Sequence, residues 1–311
     1  MYIVNENNCW FTNVGEAFID IGVKNIIGNI SKRHDEIKYG TISPMSQYYI
    51  GQISNYCENK NGGNIFNPTD WFTPNIFLMA GMFGTKEFTE SYSLHMARNV
   101  IKQGGRIAFL GFGAGVYDLE ERDAVLNVLK ELNPLFIVTR DNKTYELYKD
   151  YIECINGLDC AFWINQDFTP QEASTKSYTV STFNRSDEPE DIANMKNVVH
   201  PWHMQYLLDE KKTRYLKKSN LMISDNPYDY ITLYANADRT YTDLVHATIA
   251  CLVYGTPVKY YQIDNRRDAF ESLEYLTYDS ARFMTLNQKK LYKEKLKIEK
   301  YVEDKICQIV Q

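Results

Sequence analysis

The sequence predicts an α/β protein with parallel sheets covered by helices on both faces, and three observations support this class. Apolar stretches such as residues 106–110 and 135–139 lack the alternation of a half-exposed strand, as expected for strands buried on both faces. Each is followed by a turn and an amphipathic helix. The pattern stops at a polar, turn-rich stretch over residues 167–176 and then starts again. The chain is therefore expected to contain two α/β halves.

Length and composition fit this organisation and exclude several classes of function. The 311 residues suit two domains, and 44% hydrophobic with 24% charged residues is typical of a soluble globular protein. A formal net charge of -6 without a basic stripe argues against a nucleic-acid partner. No signal peptide or membrane-spanning run is recognisable, so we expect a cytoplasmic protein. The six scattered cysteines are expected to be reduced thiols, and neither a metal nor another cofactor is predicted.

The first domain is predicted over residues 1–166. Its glycine-rich turn, Gly111 to Gly115, is not a dinucleotide fingerprint, because the last glycine spacing and the acidic residue that would hold a ribose are missing. A loop at 13–16 is predicted to enter a helix, and a weak strand is predicted at 46–53. A strand near 75–80 is followed by a turn at 81–84 and a helix at 89–102. Two further strand, turn and helix units end at residues 132 and 151.

The second half is predicted to have the same architecture and a smaller sheet. A linker over 167–176 precedes a domain at 177–285, and a helix at 286–311 is expected to pack back toward the first domain. The predicted fold class is therefore two Rossmann-like domains facing across a cleft, with a GT-B-like arrangement. Ligands of such sheets bind beyond the carboxyl ends of the strands.

One stretch of the second half, residues 236–261, suggests a binding site. Thr242 and Asp243 favour a helix start, and the following apolar run ends at Gly255 and Pro257. His246 is therefore expected near the first turn of a helix, where free N–H groups and the helix dipole attract anions. The alternative is a capping histidine packed against its own turn.

Several short motifs occur in an order that resembles the polysaccharide pyruvyl transferase family. They are Asn13 to Glu16, with Glu in place of the family's Asp, then Ala80 to Gly84, Gly111 to Gly115, Thr139 to Asp141, Asp159 to Trp163, Thr242 to Ala247 and Gly255 to Val258. The resemblance extends over nearly the whole chain. It implies a transferase that moves a pyruvyl group from phosphoenolpyruvate to a sugar of a cell-surface polysaccharide or its lipid-linked precursor.

The resemblance also implies roles for individual residues. His246 is expected as general acid or phosphate contact, Arg140 as a clamp for the donor carboxylate, and Glu16 or Asp141 as the base. Arg140 is alternatively a structural ion-pair partner. The remaining expected substrate contacts are Asn13, Gly15, Gly113, Asp243, Arg239, Arg266 and His203.

Two features of the sequence leave alternative interpretations of this site. The family's arginine two positions before the histidine is Leu244, which removes a clamp that only Arg239, Lys259, Arg266 or Arg267 could replace by charge. His200 and His203 flank Trp202, and these residues either line an acceptor site, with the indole stacked on a sugar, or belong to an ordinary loop.

Three functions are therefore compared. The first is pyruvyl transfer, with phosphoenolpyruvate and a saccharide acceptor as partners and contact with a membrane-linked acceptor. The second is a GT-B-type glycosyltransferase that uses a nucleotide sugar, against which the chain lacks a convincing pair of spaced glutamates for the ribose. The third is a non-catalytic relative that binds glycans. The sequence makes no prediction about oligomeric state.

Overall fold

The structure is a computed structural model that describes residues 1–7, 13–42, 69, 72–172, 177–203, 215, 217–262, 270 and 272–310. The contacts divide the chain into two compact units. The first contains residues 1–9, 26–160 and 297–311, and the second contains residues 10–25 and 161–296. The long helices near the two ends of the chain thus contribute residues to both units.

The first unit is built on a parallel sheet. β1 is flanked by β2 on one side and β3 on the other, in the order β2-β1-β3-β5-β6-β7, while β4 pairs with β5. Its strands are β1 (Tyr2–Glu6), β2 (Lys38–Ile42), β3 (Ile76–Ala80), β4 (Phe83–Gly84), β5 (Arg106–Ala114), β6 (Ile137–Thr139) and β7 (Ile155–Asn156). Its helices are the end of α1 (Val14–Ser31), α2 (Tyr92–Lys102), α3 (Leu119–Leu132) and α4 (Asn142–Tyr148), with a 3-10 turn at Lys86–Glu90 and the first residue of another at Cys160–Trp163.

The second unit also contains a mainly parallel sheet, in the order β10-β9-β8-β11-β12-β14-β13. Its strands are β8 (Thr179–Thr182), β9 (Val198–Pro201), β10 (Leu221–Met222), β11 (Arg239–Thr242), β12 (Val258–Tyr260), β13 (Leu276–Tyr278) and β14 (Met284–Leu286), of which β13 and β14 form an antiparallel hairpin. Its helices are most of α1, then α5 (Glu190–Ala193), α6 (Pro227–Asn236), α7 (Val245–Tyr254) and the start of α8 (Gln288–Val310).

The predicted α/β class is confirmed, because both sheets are mainly parallel and their central strands are buried. All five residues of β3 are buried, and so are eight of the nine in β5. The last turns of α8 pack in the first unit, where Ile306 is fully buried and Tyr301 packs edge-on against Phe136. The predicted return of the C-terminal helix to the first domain is therefore confirmed.

Two details of the prediction are wrong, and the weak strand at 46–53 lies outside the described residues. The second sheet is not smaller, since each sheet has seven strands in the described part of the chain. The hairpin over residues 276–286 adds two strands of three residues each, which are too short to recognise in the sequence. β5 also continues to Ala114, so Gly113 lies within a strand and the turn begins at Gly115.

Candidate active site

The second sheet reverses its strand order at β8, which has β9 on one side and β11 on the other. In open α/β sheets ligands bind beyond the carboxyl ends of the strands at such a point. Thr182 is the last residue of β8 and Thr242 is the last residue of β11, and the two are paired in register. The loops that leave β8 and β11 therefore form the expected ligand site of the second unit.

His246 lies at this position because it is the second residue of α7. The helix begins at Val245, and its buried run from Ala247 to Val253 packs into the unit. The first N–H groups of a helix have no partner within the helix, and they add to the positive end of its dipole. The predicted helix start close to His246 is confirmed.

The first turn of α1 lies against the His246 ring. A Cβ atom on Gly15 would come within 2.4 Å of His246 Nδ1, so only glycine allows this approach. The Asn13 carboxamide oxygen accepts from the Gly15 N–H at 3.0 Å, and its amide group donates to Glu16 Oε1 at 3.3 Å. The ring is thus held where two helices begin, a position that favours an anionic ligand.

His203 connects the loop after β9 to this cluster. Its carbonyl oxygen accepts from the Val14 N–H at 3.0 Å, and its N–H donates to the Asn184 side chain at 2.7 Å. The fully buried ring lies 2.6 Å from the Tyr234 hydroxyl through Nε2. Burial, and then the charge of His246, lowers the pKa of His203 to about 3. His203 is therefore a neutral residue that supports the site and cannot attract anions by its own charge.

Asp243, a predicted substrate contact, is engaged by the loop after β8. Its carboxylate accepts from the backbone N–H groups of Asn184, Arg185 and Ser186 at 3.1, 2.9 and 2.7 Å. The Ser186 hydroxyl adds a fourth hydrogen bond at 3.0 Å. Burial raises the pKa of Asp243, and these hydrogen bonds oppose the increase. The carboxylate therefore holds the loop beside α7.

The first unit brings three other predicted residues together. Arg140 follows β6, and its guanidinium crosses Gly113, where a Cβ atom would come within 2.1 Å of Arg140 Nε. Asp141 caps α4 by accepting from the Thr144 N–H at 2.6 Å, and its other oxygen lies 3.4 Å from Arg140 Nε. Arg140 is only 7% exposed, so its guanidinium is held in place.

Comparison with known proteins identifies the family. The model of the polysaccharide pyruvyl transferase family matches residues 44–260, more than two thirds of the 311 residues. The chain belongs to the polysaccharide pyruvyl transferase family. The match contains Gly113, Arg140 and His246, but begins after the Asn13 to Glu16 loop. No curated protein sequence matches the chain.

Solved structures with a similar fold support the GT-B-like class. A putative UDP-N-acetylglucosamine 2-epimerase from Listeria monocytogenes is 12% identical with a TM-score of 0.52, covering 99% of this chain and 90% of the epimerase. UDP-GlcNAc 2-epimerase from Neisseria meningitidis, bound to UDP-GlcNAc, is 12% identical with a TM-score of 0.51, and the coverage is 98% and 93%. At this identity the likeness concerns the fold alone.

In this pyruvyl transferase family member, Arg239 lies away from His246, although the sequence suggested it as an extra cation near that residue. Leu244 is the cap residue of α7 and is buried. Arg239 begins β11, at the opposite end of the strand from the site, and its guanidinium lies 5.4 Å from the centre of the Phe283 ring. Arg266 lies outside the described residues. Arg239 is therefore not placed to replace the family's arginine at the position of Leu244.

His200 belongs to a separate polar cluster on β9. Its Nε2 lies 3.3 Å from Glu188, whose carboxylate also contacts Lys218 and Ser181. Burial raises the pKa of Glu188, but these three contacts lower it to about 2. Trp202 is 1% exposed, so it has little surface for stacking on a sugar.

A cavity of about 210 Å³ lies beside this cluster, beyond the carboxyl ends of β8 and β9. Pockets for drug-sized ligands measure about 300–1,000 Å³, so this space suits one small group. The polar side chains in its wall are Asn184, Ser186, Asp187, Glu188 and Lys218.

Sequence reasoning missed the tyrosine that contacts His203 and a buried carboxylate in the first unit. Tyr234 lies in an aromatic stretch of α6 that resembles ordinary core, and Glu6 ends an apolar strand. The only indication of Glu6 in the sequence is a charged residue at the end of a predominantly apolar stretch. Within the described ranges, no cluster of three or more acidic, histidine or cysteine side chains could hold a metal ion. No described helix is long and apolar enough to cross a membrane.

Proposed function

We propose that the protein transfers the pyruvyl group of phosphoenolpyruvate to a saccharide of a cell-surface polysaccharide or its lipid-linked precursor, in the cytoplasm where this donor is made. The observation that carries the proposal is the His246 ring held between the starts of α1 and α7 through Gly15. Such a position favours a phosphate or carboxylate, and phosphoenolpyruvate contains both.

The donor's two anionic groups need different contacts. In the proposed arrangement, the N–H groups of α7 and the His246 ring hold the phosphate, and the Arg140 guanidinium binds the carboxylate. His246 also supplies the proton that converts the donor's methylene carbon to a methyl group. Leu244 leaves the phosphate without the arginine of the family pattern, so we expect weak donor binding.

The two predicted bases differ in their surroundings. Asp141 caps α4 and contacts Arg140, so we assign it to positioning the guanidinium. Glu16 lies in the first turn of α1 and receives one hydrogen bond, from Asn13. We keep Glu16 as a base for one of the two sugar hydroxyls that a ketal requires.

Calorimetric titration with phosphoenolpyruvate tests the donor site. We expect saturable binding, and a loss of about 10- to 100-fold in affinity for His246→Ala and for Arg140→Ala, the range expected for a hydrogen bond to a charged group. His95→Ala and Arg106→Ala are matched controls. His95 is an exposed histidine of α2, and Arg106 is an exposed arginine at the amino end of β5. Both controls should bind as the wild type does.

Two results would decide against pyruvyl transfer. Binding of UDP-sugars with no binding of phosphoenolpyruvate would favour the nucleotide-sugar transferase. Binding of an oligosaccharide alone, unaffected by either substitution, would favour a glycan-binding relative.

A further inference from the structure

A buried carboxyl group lies where the first sheet reverses its strand order. Glu6 is the last residue of β1, and its neighbours in register are Ile42 of β2 and Met79 of β3. Because β2 lies on one side of β1 and all later strands lie on the other, the carboxyl end of β1 is the expected ligand position of this unit. Glu6 is 6% exposed.

The contacts of this carboxyl group are incomplete. Ser93, the second residue of α2, donates its hydroxyl to Glu6 Oε1. Oε2 is buried and has no hydrogen-bond partner among the described residues. Buried polar atoms are normally satisfied, so an open acceptor at the ligand end of a sheet points to a ligand hydroxyl.

The surroundings of Glu6 explain why the pKa of its carboxyl group is raised. Burial raises its pKa to about 7, although the Ser93 hydrogen bond lowers it. On the strands beside it, β3 is entirely apolar, and Lys38 of β2 pairs with Tyr2 at the other end of β1. On α2, His95 is exposed, and Arg98 binds Glu131 on α3. A carboxyl group that titrates near neutrality can both accept and release a proton at working pH.

We propose that Glu6 is an acid–base residue of the acceptor site, an inference that rests on the proposed pyruvyl transfer. One sugar hydroxyl bonds to the central carbon of phosphoenolpyruvate, and its proton passes to Glu6 while a general acid protonates the methylene carbon. The second hydroxyl then displaces phosphate from that carbon, and the base of that hydroxyl passes its proton to the departing phosphate. Glu6 releases its proton to solvent, from which the general acid is protonated again.

The spacing of the sheet is compatible with this role. Glu6 on β1 and Arg140 after β6 are three strand positions apart, about 14 Å across the sheet at the usual strand spacing. Through β3 and β5, Glu6 is level with Ile137, so Arg140 lies three residues further along the strand direction. Both residues therefore lie at the carboxyl end of the same sheet, where its ligands are expected.

The test is the pH dependence of kcat for wild type, Glu6→Gln and Ser93→Ala. A base must be deprotonated, so the wild-type rate should rise through about pH 7. Glu6→Gln should lose this rise and about 10²- to 10⁴-fold of the rate. Ser93→Ala removes the contact that lowers the pKa, so the rise should move to higher pH by about one unit. Glu131→Gln, an exposed carboxylate on α3, is the matched control and should leave the profile unchanged.

The outcomes separate the two proposals. A wild type without phosphoenolpyruvate-dependent transfer overturns the proposed function and the role of Glu6 with it. Transfer by the wild type with an unchanged rate and profile in Glu6→Gln overturns the role of Glu6 alone. Carbon NMR of glutamate-labelled protein measures Glu6 without turnover. A signal that titrates near pH 7 and is absent from Glu6→Gln supports the proposal, and titration near 4.5 contradicts it.

Discussion

At the scale of single residues, Gly15 controls the position of the His246 ring. Alanine is normally the better helix former, by about 1 kcal/mol, so a glycine in the first turn of an 18-residue helix needs a reason. The reason is the imidazole 2.4 Å from where a Cβ atom would be. A methyl group there must displace the ring, because the glycine backbone is fixed in α1.

Alanine at position 15 should therefore impair donor binding without unfolding the protein. We expect Gly15→Ala to weaken phosphoenolpyruvate binding by at least tenfold in calorimetry, because His246 is pushed from the helix starts. Gly28→Ala in the same helix is the matched control, since no neighbouring group lies within 4 Å of the place that its methyl group would take. It should bind normally and stabilise the protein by about 0.5–1 kcal/mol. Equal binding by the two variants would show that the ring position does not matter.

The same residues show what the sequence can reveal. His246 is predictable because a local apolar run defines the helix that it begins. The close approach of Gly15 is not, since its partner lies far along the chain and only the tertiary fold brings them together. Asp243 illustrates another limit, because its sequence position suggests a ligand contact whereas its carboxylate binds four groups of one loop.

At the scale of elements, Glu188 joins the loop after β8 to β9 and to the segment before β10. Its 4% exposed side chain contacts Ser181, His200 and Lys218. No local sequence pattern predicts this cluster, because its four residues come from separate parts of the chain. The hairpin of β13 and β14 was missed for a related reason: its strands gain their stability from pairing with each other and with β12.

The Glu188 cluster predicts how the second unit responds to acid. The pKa of Glu188 falls from an ordinary 4.5 to about 2 on folding, so its ionised form stabilises the folded state. This contribution, on the order of 3 kcal/mol, is complete above about pH 5 and is lost as the pH falls from 4.5 towards 2. Urea unfolding of wild type and Glu188→Gln between pH 7 and 3 measures it.

We expect the free energies of unfolding of these two proteins to converge as the pH falls. Glu120→Gln is the control, because the Glu120 carboxylate is 80% exposed and solvent screens its ion pair with Lys86. If the curves of wild type and Glu188→Gln run parallel through this range, Glu188 is not the group that titrates.

At the scale of the whole molecule, the chain forms two compact units. Arg140 lies in the first and His246 in the second, and α1 and α8 contribute residues to both. The sequence predicts the two α/β halves well, since periodicity and turns are local. It does not predict that residues 10–25 group with the second half, because that follows from contacts such as the Val14 N–H to the His203 carbonyl.

A double-mutant cycle determines whether Arg140 and His246 bind the same donor molecule. If Arg140 binds the carboxylate and His246 the phosphate of the same phosphoenolpyruvate, loss of one contact frees the donor to move, and the second contact then contributes less. The sum of the losses in binding free energy of Arg140→Ala and His246→Ala should then exceed the loss of the double variant by more than about 0.5 kcal/mol in calorimetry. Pairing Arg106→Ala with His246→Ala gives the control cycle, which should be additive. Additivity in the Arg140 cycle as well would mean that the two residues serve different ligands.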